Sequence, residues 1–198
     1  MYETNNTIIL ASTSPRRKEL LSLLGIPFEI IPSPAEEPAP DAGELPAAYA
    51  ARMARLKAAA VARVHPESVV LGADSIVAVG DVILGKPTDT ADARRMLSLL
   101  AGRTHHVITG CARLGPGHEP TIFTVSTAVT MTAIPEAAIA AYAATDEPMD
   151  KAGAYAIQGR AAAFVTGIVG SYTNVVGLPL AEVLEHLQQE GVVRVAAA

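Results

Sequence analysis

The chain has 198 residues, 50% of them hydrophobic, enough for one substantial α/β core or two closely joined lobes. A formal charge of −5, 4% aromatic residues and no tryptophan exclude a protein devoted to nucleic acid, because backbone binding needs a broad basic face and strand stacking needs an aromatic platform. No apolar run reaches the roughly 18 residues a membrane span requires. The polar start Met1 to Asn6 lacks the basic-then-apolar pattern of a secretory signal, so the expected location is cytoplasmic. A lone cysteine, Cys111, sits beside Ala112 and Leu114 and reads as a small, inert core side chain.

Residues 7–11 form a short apolar run that ends in Ser12-Thr13-Ser14-Pro15-Arg16-Arg17, after which Leu20, Leu21 and Leu24 recur at helical spacing. This pattern predicts strand, loop and helix, with Ser14 as N-cap, Pro15 in the first turn and Gly25 at the exit. A strand over 26–31 leads into a proline-rich loop, 32–46, that contains Glu36 and Glu37 and serves as spacer or lid. A long amphipathic helix over 45–64 follows, its apolar positions read as Tyr49, Met53, Leu56, Ala60 and Val64, with Lys57 on the edge of that stripe.

The strand over 69–79 is interrupted by Asp74 and Ser75, and Gly80-Asp81 reads as a two-residue hairpin turn into 82–85. That turn sets Lys86 across from Ser75, one residue from Asp74, and ideal pleating points Lys86 and Asp74 to opposite faces. A bulge or bend is required if they share a site. Thr88-Asp89-Thr90 caps a helix through Leu100, and strands over 105–114 and 121–131, a helix over 134–144, a polar stretch over 146–159, strands over 164–168 and 172–176 and a helix over 180–189 complete the chain. Strands alternating with helices give a mixed α/β architecture, with two lobes around a cleft.

A helix amino terminus preceded by hydroxyls and followed by Arg16 and Arg17 suits a phosphate, although it is equally a capped helix with two solvated arginines. Asp74 inside an apolar strand needs a metal, a cation or a hydrogen-bond cage, since burying it uncompensated costs several kcal/mol; a buried ion pair would meet that need without function. Glu36 and Glu37 alone read as surface charges. His105 and His106 are adjacent in a strand and cannot jointly hold one metal, so both are read as structural. P-loop, G-x-S-x-G and dinucleotide fingerprints are missing.

Taken in order, Ala11 to Arg17, Gly72-Ala73-Asp74-Ser75, Gly85-Lys86-Pro87, Glu147 to Tyr155, Ile157-Gln158-Gly159 and Val175 to Leu180 resemble the signature of the Maf family across nearly the whole chain. The resemblance implies a nucleotide pyrophosphatase with a fold of the inosine triphosphatase (Ham1) type, a divalent metal such as Mg²⁺ or Mn²⁺, and a homodimer. It also implies a historical link to inhibition of septum formation. Position by position, it assigns catalysis to Asp74 with Glu37, Lys57 and Lys86, the metal to Glu37 and Asp74, and substrate contacts to Ser12, Ser14, Arg16, Arg17, Ser75, Lys151 and Gln158.

The tract Ile157-Gln158-Gly159 resembles the branch acting on dTTP and UTP rather than the 7-methyl-GTP branch, with Arg16, Ser75 and Gln158 as specificity positions. That branch usually has threonine where Ser75 stands, so the hydroxyl is kept and a methyl is lost. The expected reaction is hydrolysis of the α–β phosphoanhydride by water, a house-cleaning activity on nucleoside triphosphates. The rival from another class is a nucleotide-binding regulator of cell division with little turnover, against which stand the intact Asp74 and the two lysines. Gln158 is also expected to read the base, with Gly159 letting the backbone come close to it.

Overall fold

The computed structural model describes residues 1–197. Its strands are β1 (Tyr2–Glu3), β2 (Ile8–Leu10), β3 (Glu29–Ile30), β4 (Val69–Val79), β5 (Val82–Leu84), β6 (Thr104–Leu114), β7 (Thr121–Met131), β8 (Val165–Val169) and β9 (Arg194–Val195). Its helices are α1 (Pro15–Ser22), α2 (Pro46–Ala62), α3 (Thr90–Leu100), α4 (Glu136–Ala143), α5 (Tyr172–Val176) and α6 (Leu180–Gln189), with 3-10 turns at Ala152–Ala154 and Arg160–Phe164. Seven strands form one mixed sheet in the order β3-β2-β4-β6-β7-β8, with β5 also beside β4, while β1 and β9 pair near the termini. The mixed α/β architecture matches the expectation.

Local chemistry accounts for most of the boundaries. Ser14 caps α1 through Arg17 N–H with Pro15 in the first turn, Asp89 caps α3 through Asp92 N–H, and Gly80 at φ +56° makes the two-residue β4–β5 turn. Two expectations need correction. Residues 172–176 are a helix and not a strand, because Ser171 caps Asn174 N–H at 3.2 Å and Gly177 ends the turn at φ +135°, overriding the β preference of Val175 and Val176. The strand expected over 26–31 shrinks to two residues.

A third correction, in α2, positions the site. The stripe that α2 buries is Ala50, Met53, Ala54, Ala58 and Val61, whereas Leu56 and Val64 are exposed. The reason lies across the interface, in the glycines of the sheet. A Cβ on Gly72 would stand 2.5 Å from the carbonyl oxygen of Ala54, and one on Gly110 would stand 2.2 Å from that of Ala50. Alanine faces glycine, so the helix lies closer than any larger pair allows. Gly110 is the cross-strand partner of Asp74, and both look toward α2.

The opposite face of the sheet carries the other helices in two apolar clusters. Leu10, Leu21, Leu71 and Leu187 belong to one, Leu97, Leu100, Met131 and Tyr142 to the other, and Ile157 packs against both. Gly110→Ala should lower stability by roughly 1 to 3 kcal/mol through overpacking against helix backbone. Gly167, which has open space around it, should accept alanine within about 0.5 kcal/mol. Urea unfolding of both variants checks this, and an equally stable Gly110→Ala would contradict the close seat of α2.

Candidate functional site

On its outer edge β4 pairs with β2 only through residues 69–71 and with β5 only through residues 77–79. Between these two ladders the edge is open, and a cleft of about 730 Å³ lies there. Asp74 and Ser75 point to opposite faces of the sheet, yet both reach this cleft because no strand fills the gap. The same opening resolves the Lys86 problem. Continued register would pair Lys86 with Ser75, but the chain leaves the ladder after Leu84, and Gly153 N–H donates to Gly85 C=O at 3.0 Å.

On the α2 side, Asp74 is 8% exposed and its Oδ1 accepts from Lys57 Nζ at 2.6 Å. The same ammonium lies 3.0 Å from Glu37 Oε1. Lys57 therefore bridges two carboxylates and offsets the penalty of burying Asp74. Glu37 arrives on the proline-rich loop, which is fastened to α2. Arg52 donates to both oxygens of Glu44 at 2.7 and 2.5 Å, and Tyr49 OH donates to Pro38 C=O at 3.2 Å. The Arg52 hydrogen bonds pull Glu44 down to a pKa of about 2.

On the opposite side, Arg17 donates from Nε to Gly177 C=O at 2.8 Å and from Nη2 to Ser75 Oγ at 3.0 Å. Ser75 Oγ also lies 2.9 Å from Thr109 Oγ1 and 3.4 Å from Gly177 C=O, so three groups hold this hydroxyl in place. Burial lowers the pKa of the Arg17 guanidinium, while the charges of Asp74 and Glu37 oppose that shift. Ser12 Oγ accepts from Ser14 N–H at 3.1 Å and closes the loop at the helix amino terminus.

All eleven residues singled out from the sequence line this one cleft: Ser12, Ser14, Arg16, Arg17, Glu37, Lys57, Asp74, Ser75, Lys86, Lys151 and Gln158. Lys151 pairs with Asp150, whereas Arg16 and Lys86 have no ion-pair partner among the described residues. Five cationic side chains thus face three carboxylates, a local positive excess within a chain of net charge −5. Such a pocket suits a polyanion. Glu36 stays on the surface outside the cleft.

Glu37 and Asp74 already share one cation, and their hard oxygen donors fit Mg²⁺ or Mn²⁺. Among the described residues no group of three or more His, Cys, Asp or Glu side chains could hold a metal. A cation at this pair would complete its shell with water and substrate oxygens, as Mg²⁺ commonly does.

Sequence reading did not foresee the partners of the buried polar residues behind the cleft. His105 is fully buried, and its Nε2 meets Tyr155 OH at 2.8 Å. Burial, helped by neighbouring His106, lowers its pKa to about 4, so it is neutral and structural as expected. Burial pushes the Cys111 thiol up to about 12, in keeping with an inert side chain. Thr109 and Asn174 are also buried, and Asn174 Nδ2 donates to Val107 C=O at 3.0 Å and to Thr127 Oγ1 at 2.9 Å. Isolated polar residues within apolar strands were the only available signal. No described helix is long and apolar enough to cross a membrane.

Comparison with known proteins adds lineage to this geometry. The family described as Maf-like protein matches residues 7–190. The dTTP/UTP pyrophosphatase of Oleidesulfovibrio alaskensis is 49% identical over 188 residues, covering 94% of this chain and 86% of that protein. The dTTP/UTP pyrophosphatase of Nitratidesulfovibrio vulgaris is 50% identical over 192 residues, covering 97% and 91%. Among solved structures, the Staphylococcus aureus Ham1 protein gives a TM-score of 0.44 at 16% identity over 63% of this chain and 71% of that one. The match to the family across residues 7–190 and these extensive identities establish that the chain belongs to the family of Maf-like proteins.

Proposed function

We propose that this protein is a nucleoside triphosphate pyrophosphatase that hydrolyses dTTP and UTP to the monophosphate and pyrophosphate, as a cytoplasmic house-cleaning enzyme and a homodimer. The observation that carries the reading is the cleft itself: cations gathered around a carboxylate pair that one ammonium holds together. Support for the pyrimidine substrates comes from relatives about half identical over more than nine-tenths of the chain that bear the name dTTP/UTP pyrophosphatase.

The triphosphate would lie along Arg16, Arg17, Lys86 and Lys151, with the α1 amino terminus and the hydroxyls of Ser12 and Ser14 supplying neutral donors. Asp74 and Glu37 would hold Mg²⁺ or Mn²⁺. When bound, that cation supplies charge neutralisation at the phosphates and lowers the pKa of a water molecule. Asp74 takes a proton from the attacking water, the water oxygen joins phosphorus, the α–β bridge breaks and pyrophosphate leaves. Lys57 and Lys86 stabilise the charge that builds on the phosphate oxygens.

Gln158 sits in a turn at the cleft, where its amide offers one donor and one acceptor to the N3–H and O4 edge of uracil or thymine. Cytosine reverses that edge.

Incubating the protein with UTP, with and without Mg²⁺ or Mn²⁺, should yield UMP and pyrophosphate only when metal is added; chromatography of the products reads the outcome. Release of UDP and orthophosphate would show that another bond is cut. Gln158→Ala should lower kcat/KM for dTTP and UTP by about 1 to 3 kcal/mol, with a smaller loss for CTP and GTP. Equal losses across the four nucleotides would remove Gln158 from base reading.

A further inference from the structure

Gln158 is exposed and makes no side-chain hydrogen bond among the described residues, so what the fold sets is the backbone position from which its amide reaches into the cleft. That backbone is the 156–159 turn, closed by Gly159 N–H donating to Ala156 C=O at 3.0 Å. Directly after the turn a single carboxylate takes over. Glu147 Oε2 accepts from Arg160 N–H at 3.1 Å, and its Oε1 accepts from Ala161 N–H at 3.5 Å and from Tyr142 OH at 2.9 Å. A Cβ on Gly159 would stand 2.1 Å from Glu147 Oε1. Gly159 therefore makes room for this carboxylate, which differs from the expectation that it lets the backbone approach a base.

Burial acts to raise the Glu147 pKa, but the amides of Arg160 and Ala161 and the Tyr142 hydroxyl outweigh it and hold the group below its ordinary value. The charged acceptor is what this pocket is built around. Tyr142 is itself fixed, buried at 5% exposure and packed edge-to-face on Phe164 with ring centroids 5.7 Å apart. On the other flank of the turn, Tyr155 is held by His105. The turn is thus flanked by Tyr155, held by His105, and by the Glu147–Tyr142 pair.

We propose that Glu147, which lies outside the cleft lining, is a positioning residue for base selection: its carboxylate fixes the 156–159 turn and so aims Gln158 at the pyrimidine edge. The inference rests on the pyrimidine reading given above. It separates selection from chemistry, because nothing in this anchor touches Asp74 or Lys57.

The test compares kcat/KM for UTP and CTP in the wild type, Glu147→Gln, Glu147→Ala, Gln158→Ala and the Glu147→Gln/Gln158→Ala double variant, with thermal unfolding of each. Glutamine keeps the shape of Glu147 but must turn an amide N–H₂ toward the Arg160 or Ala161 N–H, a donor against a donor. Glu147→Gln should lower the UTP-to-CTP ratio by about tenfold, mainly by reducing UTP turnover. Glu147→Ala should lower it at least as far. In the Gln158→Ala background the Glu147 change should alter the ratio no further, as coupled residues require.

If Glu147→Ala fails to fold, Glu147→Gln carries the test alone. Equal losses for UTP and CTP, or losses that add independently of Gln158, would reduce Glu147 to a structural support and overturn the proposal. A wild type without preference for UTP over CTP would instead overturn the pyrimidine reading, and the positioning role with it.

Discussion

Helix α2 lies on the sheet alanine against glycine, and this contact sets the position of Lys57. Ala50 and Ala54 sit over Gly110 and Gly72 at distances that leave no space for a Cβ on either glycine. Lys57 follows Ala54 by three residues, one helical turn, so the same approach that seats the alanines brings its ammonium within 2.6 Å of Asp74. A thicker interface would hold the helix off and leave a carboxylate in an apolar strand without a partner, at a penalty of several kcal/mol. Packing and charge compensation are here one constraint.

The second constraint is the gap along β4. Two short partners, β2 and β5, cover the ends of its outer edge and leave residues 72–76 open. Successive side chains on a strand point apart, so an open edge is a direct way for Asp74 and Ser75 to serve one cleft from two faces. The face toward α2 carries the carboxylates and Lys57, while the other carries Arg17, Ser75 and the α1 amino terminus. The carboxylates and the helix amino terminus are thereby kept on opposite walls. Arg17 stays near Asp74 electrostatically while donating to neutral oxygens.

Much of this was legible in the sequence because it depends on local chemistry. Ser14-Pro15 announced a capped helix, Gly80-Asp81 a hairpin, and Asp74 in an apolar run a group that needed a partner. The α2 stripe was misjudged because large apolar residues ordinarily mark the buried face, and only the opposing glycines, distant in sequence, reverse that rule. Residues 172–176 were misjudged because two valines outweighed a Ser171 cap whose partner is a buried Asn174. Glu147 was read only as the start of a motif for a related reason: its contacts depend on a glycine twelve residues away whose missing side chain leaves room for it. Long-range complementarity between small residues leaves no periodic signal.

We propose that the carboxylate held by Lys57 handles the proton of the attacking water. Asp74→Asn keeps the shape of that side chain and removes its charge and basicity. The most direct test is its kcat on UTP at saturating Mg²⁺, with thermal unfolding to confirm the fold. The expected result is a folded protein whose kcat is at least about 100-fold lower. A folded variant with near-normal turnover would contradict it, and would reduce the Lys57–Asp74 pair to an ion pair that holds a helix on a sheet.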